Sequence, residues 1–71
     1  MTLADRLNQI INEQNISKAE FSRRIGCSVN YIYQLTGSSE KRPTTVHRSI
    51  AKIIALEFGY DEEWIMTGKQ K

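Results

Sequence analysis

One cysteine, one proline, one tryptophan and one histidine are spread over 71 residues. With Cys27 alone, the chain can close no internal disulfide and build no cysteine-based metal site. That fits a reducing compartment. His47 has no second histidine, cysteine pair or serine partner at a suggestive spacing, so neither a metal-binding nor a catalytic role is expected of it. No apolar run approaches the roughly 18 residues of a membrane span, and the first residues lack a secretory pattern. The expectation is a cytoplasmic protein with no membrane partner. There is no carboxylate pair on an apolar face, no nucleophile beside a base and no glycine-rich phosphate loop. No enzyme activity, catalytic residue, cofactor, metal or small-molecule substrate is therefore expected. Strand signals, internal repeats and low-complexity stretches are also missing. A chain of 71 residues forms one domain with one small core.

What is present is a charge asymmetry. Residues 17–52 carry seven Lys or Arg against two Glu, a net +5, and the remainder carries three against six, a net −3, giving the overall +2. The middle of the chain is thus basic, as a phosphate-facing surface requires.

The pattern of apolar residues is helical throughout. Thr2 can cap a first helix with Leu3, Leu7, Ile10 and Ile11 on one face, and Gln14-Asn15 can end it, since Asn tolerates a left-handed cap. Ser17 and Glu20 make a Ser-x-x-Glu capping box for a second helix, which Gly26 ends. Ser28 can cap a third helix running to about Thr36, with Gly37 as its stop. Ser38 to Pro43 is a polar loop. Pro43 disfavours helix at Arg42 and precedes a new start at Thr44 or Thr45. Val46, Ile50, Ala51, Ile54, Ala55 and Phe58 stripe a fourth helix that stops at Gly59, with Ile53 and Leu56 off the stripe. Asp61 can cap a short fifth helix, with Glu62 and Glu63 in its first turn and Trp64 and Ile65 packing inward. The expected organisation is all-α, a compact bundle of about five short helices. A domain spans 1–66, followed by a flexible tail over 67–71.

Residues 18–37 carry the most functional information. Two short helices flank a turn at Gly26, and Phe21, Ile25, Cys27, Ile32 and Leu35 fall where both helices face one core. That is the spacing of a helix-turn-helix, whose second helix enters the DNA major groove.

Ser17-Lys18, Phe21-Ser22, Ile25-Gly26, Ile32, Gln34-Leu35, Gly37, Pro43, the stretch Ala55-Leu56-Glu57-Phe58-Gly59-Tyr60 and the ending Glu63-Trp64-Ile65-Met66-Thr67-Gly68 together resemble the phage repressor and Cro class, the lambda-repressor-like or XRE family. The resemblance covers nearly the whole chain. Lys18 stands where members usually carry Gln; a lysine donates to a phosphate but accepts no hydrogen bond, so the bridging role of that Gln does not carry over. Ser22 replaces the usual Ala at the helix crossing, with a hydroxyl that can bond back to the Lys18 carbonyl.

The resemblance implies that the first half of the third helix meets base edges. On this chain it places Ser28, Val29, Asn30, Tyr33 and Gln34 outward, with Ile32 and Leu35 inside. Asn and Gln can bond adenine bidentately, and a Val methyl can touch the thymine methyl. Tyr33 can reach a base or a phosphate. Tyr31 is either half-buried packing or a phosphate donor. Asn15, Ser17, Lys18 and the amides at the start of the second helix are phosphate candidates, with Lys41 and Arg42 in the following loop. Arg23 and Arg24 read as solvated. Cys27 reads as a small apolar group at the turn. Ile53, Leu56, Tyr60, Trp64 and Met66 are candidates for self-association.

Two functions follow from these residues. One is a transcriptional regulator of phage or prophage type, Cro-like or a short repressor, in a bacterial host cytoplasm. It would occupy double-stranded operator DNA as a homodimer on half-sites about one helical turn apart. The other is an antirepressor or antitoxin module on the same fold, docking onto a toxin or onto a repressor encoded in the same genetic switch. The absence of any charged residue between Ser28 and Thr36 keeps the second open.

Overall fold

A computed structural model describes residues 2–37 and 46–69. Among them the chain forms five helices and no strand: α1 (Leu3–Gln14), α2 (Lys18–Ile25), α3 (Val29–Thr36), α4 (Arg48–Phe58) and α5 (Glu62–Thr67). The longest has 12 residues. Helices this short are marginal alone in water, so packing must hold them.

The packing is pairwise: α1 against α3 and α5, α2 against α3 and α4, and α4 against α5. One apolar cluster joins all five. It takes Leu3, Leu7, Ile10 and Ile11 from α1, Phe21 and Ile25 from α2, Ile32 and Leu35 from α3, Ala51 and Ile54 from α4, and Trp64 and Ile65 from α5. The helix-turn-helix is α2, the residues Gly26, Cys27 and Ser28, and α3. Phe21 also stacks on Phe58, centroids 5.3 Å apart, which fixes α2 on α4.

The ends of the helices follow local chemistry. Thr2 and Asp5 make a reciprocal capping box, each side chain accepting from the other's amide at 3.1 Å. Gly26 ends α2 at φ 80°, and the Cys27 amide then donates to the Ser22 carbonyl at 2.9 Å. This left-handed step turns the chain into α3. Asn15 makes the same step without a glycine, at φ 56°. Alanine at Asn15 is expected to cost about 1 kcal/mol, and glycine close to nothing, since only the β-carbon is penalised there. Urea unfolding of the two variants checks this; equal losses would show that the Asn15 side chain, not its backbone, matters.

Several local expectations need correction. Ser17 caps α2 by accepting from the Glu20 amide at 3.0 Å, but the Glu20 carboxylate bonds Arg23 at 2.6 Å, so it does not close the box. A cation within one turn outcompetes a single backbone amide for that carboxylate. The Ser22 hydroxyl donates to the carbonyl of Ala19, not of Lys18, at 2.8 Å; a helical hydroxyl can reach either turn position. Helix α4 starts at Arg48, later than Thr44 or Thr45, with His47 as an N-cap that makes no side-chain bond. Val46 is buried without being helical. Pro43, Thr44 and Thr45 themselves lie outside the described residues. Thr67 is not tail but the last residue of α5, which Gly68 caps at φ 80°. The Thr67 hydroxyl donates to Glu63 one turn back at 2.9 Å, which holds that turn helical.

No described helix is long and apolar enough to cross a membrane.

Candidate nucleic-acid interface

The geometry of α3 follows from which of its side chains the core takes. Ile32 and Leu35 are fully buried and Thr36 nearly so. At 100° per residue these three fix the opposite face. Asn30, Tyr33 and Gln34 are exposed, as is Ser28 at the N-cap, and Val29 is half-buried at the rim. The five expected base-reading residues thus run from the N-cap to the second half of one helix, with Val29 the least accessible. The Ser28 oxygen accepts from the Tyr31 amide at 3.2 Å, which leaves the hydroxyl proton free to donate outward.

The far end of α3 is clamped. The Thr36 hydroxyl donates to the Ile32 carbonyl at 2.8 Å, and Asn8 of α1 donates to the Thr36 carbonyl at 3.2 Å. Gly37 closes the helix with its amide on the Tyr33 carbonyl at 2.8 Å. A β-carbon on Gly37 would sit 2.7 Å from that carbonyl oxygen, too close for any other residue without movement. Asn8 was missed in the sequence, because an Asn on a helix surface carries no sign of its partner.

Of the phosphate candidates, Asn15 and Ser17 are exposed beside the start of α2. Lys18, half-buried, holds its ammonium over the Tyr33 ring, 5.6 Å from the centroid. The start of α2 and the outer face of α3 therefore form one surface. Tyr31 packs half-buried against the core, as the first of its two readings has it. Lys41 and Arg42 lie outside the described residues.

The electrostatics differ from the sequence reading at Arg23 and Arg24, which are paired rather than simply solvated. Arg23 meets Glu20 at 2.6 Å, and Arg24 meets Glu57 of α4 at 2.9 Å while lying 4.6 Å from the Phe58 centroid. Glu57 reaches Arg24 only through the packing of α2 on α4, a contact of high sequence separation. Exposed pairs of this kind are worth under about 1 kcal/mol, so a phosphate can compete for either arginine. Arg48 is held by Glu62 and Glu63, whose hydrogen bonds and charges raise its pKa. Burial pushes the Cys27 thiol up, so it stays protonated as a small apolar group.

The five self-association candidates differ in exposure. Leu56 is 78% exposed and Ile53 41%. Trp64 is only 7% exposed, and Met66 and Tyr60 pack half-buried against the core. Tyr60 stacks on Trp64 with centroids 5.9 Å apart, and its hydroxyl donates to Glu13 of α1 at 2.6 Å. Burial and that bond raise the Tyr60 pKa. A large aromatic near the end of the chain is drawn inward because five short helices have few other groups to fill their core.

No family model matches the chain, and neither a curated protein nor a solved structure matches it.

Proposed function

We propose that this chain is a sequence-specific DNA-binding regulator of the phage repressor and Cro class, in which α3 enters the major groove. The observation that carries the reading is the outer face of α3. Asn30 and Gln34 are exposed one turn apart on a helix whose other face is locked by Ile32, Leu35 and Thr36. Primary amides offer a donor and an acceptor together, the pair that adenine presents in the major groove. Neither residue is needed for the core. Exposed Asn15 and Ser17 flank the first amides of α2, a phosphate site beside the reading helix. The mode of action is operator occupancy, without chemistry, in a bacterial cytoplasm. One module of this size contacts little DNA, so two copies on adjacent half-sites supply useful affinity.

A second reading has an observation of its own. Helix α3 carries no charged residue, and the arginines of α2 are engaged by Glu20 and Glu57. A neutral face bearing Val29 and Tyr33 also suits a protein surface, as an antirepressor or antitoxin would need.

One experiment separates them: binding to the DNA upstream of the protein's own gene, against random DNA of equal length, at physiological salt. A preference of about a thousandfold or more is expected of an operator binder. Little preference would reject that reading and direct the search to a repressor or toxin encoded nearby.

A further inference from the structure

The three cations of α2 are held in three different ways. Arg23 is on Glu20 and Arg24 is on Glu57. Lys18 has no ion-pair partner among the described residues; its ammonium lies over the face of Tyr33, 5.6 Å from the ring centroid. Lys18 is also the first residue of α2, where the helix dipole disfavours a cation. A ring face with negative potential compensates that placement.

The consequence falls on Tyr33. It is 52% exposed, and no hydrogen bond or core contact of its side chain is seen among the described residues. An exposed helical tyrosine ordinarily samples two χ1 rotamers. A cation seated on one face favours the rotamer that keeps the ring beneath it. We infer that Lys18 is a specificity-determining positioning residue, which holds the Tyr33 ring in one orientation so that α3 presents a single arrangement of Asn30, Tyr33 and Gln34 to the DNA. This rests on the DNA-binding reading above. The lysine still has N–H donors to offer a phosphate, so general affinity and selectivity meet in one side chain. The two roles separate cleanly: a phosphate contact acts on every sequence alike, whereas positioning of a reading side chain acts on one base pair.

The test has two arms, both on the full chain. In the free protein, the NMR signals of the Lys18 ε-methylene are expected upfield of those of Lys52 and Lys69, through the ring current of Tyr33. Tyr33→Leu should abolish the shift and Tyr33→Phe should keep it. The second arm selects bound sequences from randomised duplex DNA. Tyr33→Leu marks the base-pair position that Tyr33 reads. Lys18→Met is expected to weaken preference at that same position about two- to fivefold. Lys18→Arg should restore it, and Lys18→Met should add nothing in the Tyr33→Leu background. If Lys18→Met lowers binding to the whole pool and alters no preference, the inference is overturned and Lys18 is a phosphate contact only. An absent upfield shift also overturns it, while a wild-type preference leaves the DNA reading standing. A wild-type chain that enriches no sequence rejects the DNA reading itself, and the inference with it.

Discussion

Replacing Arg6 with alanine is expected to remove about 3 kcal/mol of stability and to release α5 from the bundle. Arg6 is 4% exposed, in the second turn of α1. Its Nε donates to the Ile65 carbonyl at 3.2 Å and its Nη2 to the Met66 carbonyl at 3.5 Å. A β-carbon on Gly68 would sit 3.0 Å from Nη1, so the guanidinium also lies against the glycine that caps α5. The side chain thus closes the C-terminal end of a helix of six residues, where backbone carbonyls have no helical partner and a cation is favoured. A hydrogen bond from a charged donor contributes about 1.5–3 kcal/mol, and a buried carbonyl left unmet costs about 1–3 kcal/mol. A domain of 71 residues has roughly 4–10 kcal/mol in total at the usual 0.05–0.15 per residue. The loss is therefore a large share. Trp64, the only tryptophan, sits in α5 and reports its detachment. Urea unfolding followed by its fluorescence should show an earlier midpoint and a red-shifted baseline. Arg6→Lys should recover only part of the loss, because an ammonium cannot span both carbonyls in the fork geometry. A variant that unfolds at the wild-type midpoint would show that the carbonyls find water instead.

Gln34→Ala is expected to cost about 1–3 kcal/mol on the preferred DNA sequence and much less on random DNA. Gln34 is exposed and makes no hydrogen bond among the described residues, so the fold should be unaffected, within about 0.5 kcal/mol. Asn30 and Gln34 are separated by four residues, about 6 Å along α3. That is near two base-pair steps of roughly 3.4 Å. The two amides therefore suit positions about two base pairs apart in one half-site, and their losses should fall on different base pairs. Titration of a preferred and a random duplex with each variant checks this. Equal weakening on both duplexes would take Gln34 out of base readout; an unchanged affinity on both would favour the protein-docking reading.

Much of the fold was legible because its signals are local. Thr2, Ser17, Ser28 and Asp61 each cap the helix expected of them, and Asn15, Gly26 and Gly59 each take the left-handed step. Capping needs only residues three apart, and an apolar stripe needs only its own period. The outward face of α3 was legible for the same reason: once Ile32 and Leu35 are inside, the geometry of one helix decides the rest. The start of α4 was misplaced because His47 caps without a side-chain bond and leaves no signature.

By itself, then, the sequence determined five helices, the helix-turn-helix and the neutral amide face of α3. Only the tertiary structure decided where the long polar side chains go. Arg6 reads as a surface charge on α1 until α5 arrives 59 residues later to receive it. Arg24 finds Glu57, Tyr60 finds Glu13 and Lys18 finds Tyr33 across helix contacts that no local period encodes. By its sequence Trp64 suits either the core or an association surface, and the packing puts it in the core. The physical reason is common to all of these. Hydrophobic burial is non-directional and can be read from spacing, whereas a charge or an aromatic ring takes its partner from whichever helix the packing brings within reach.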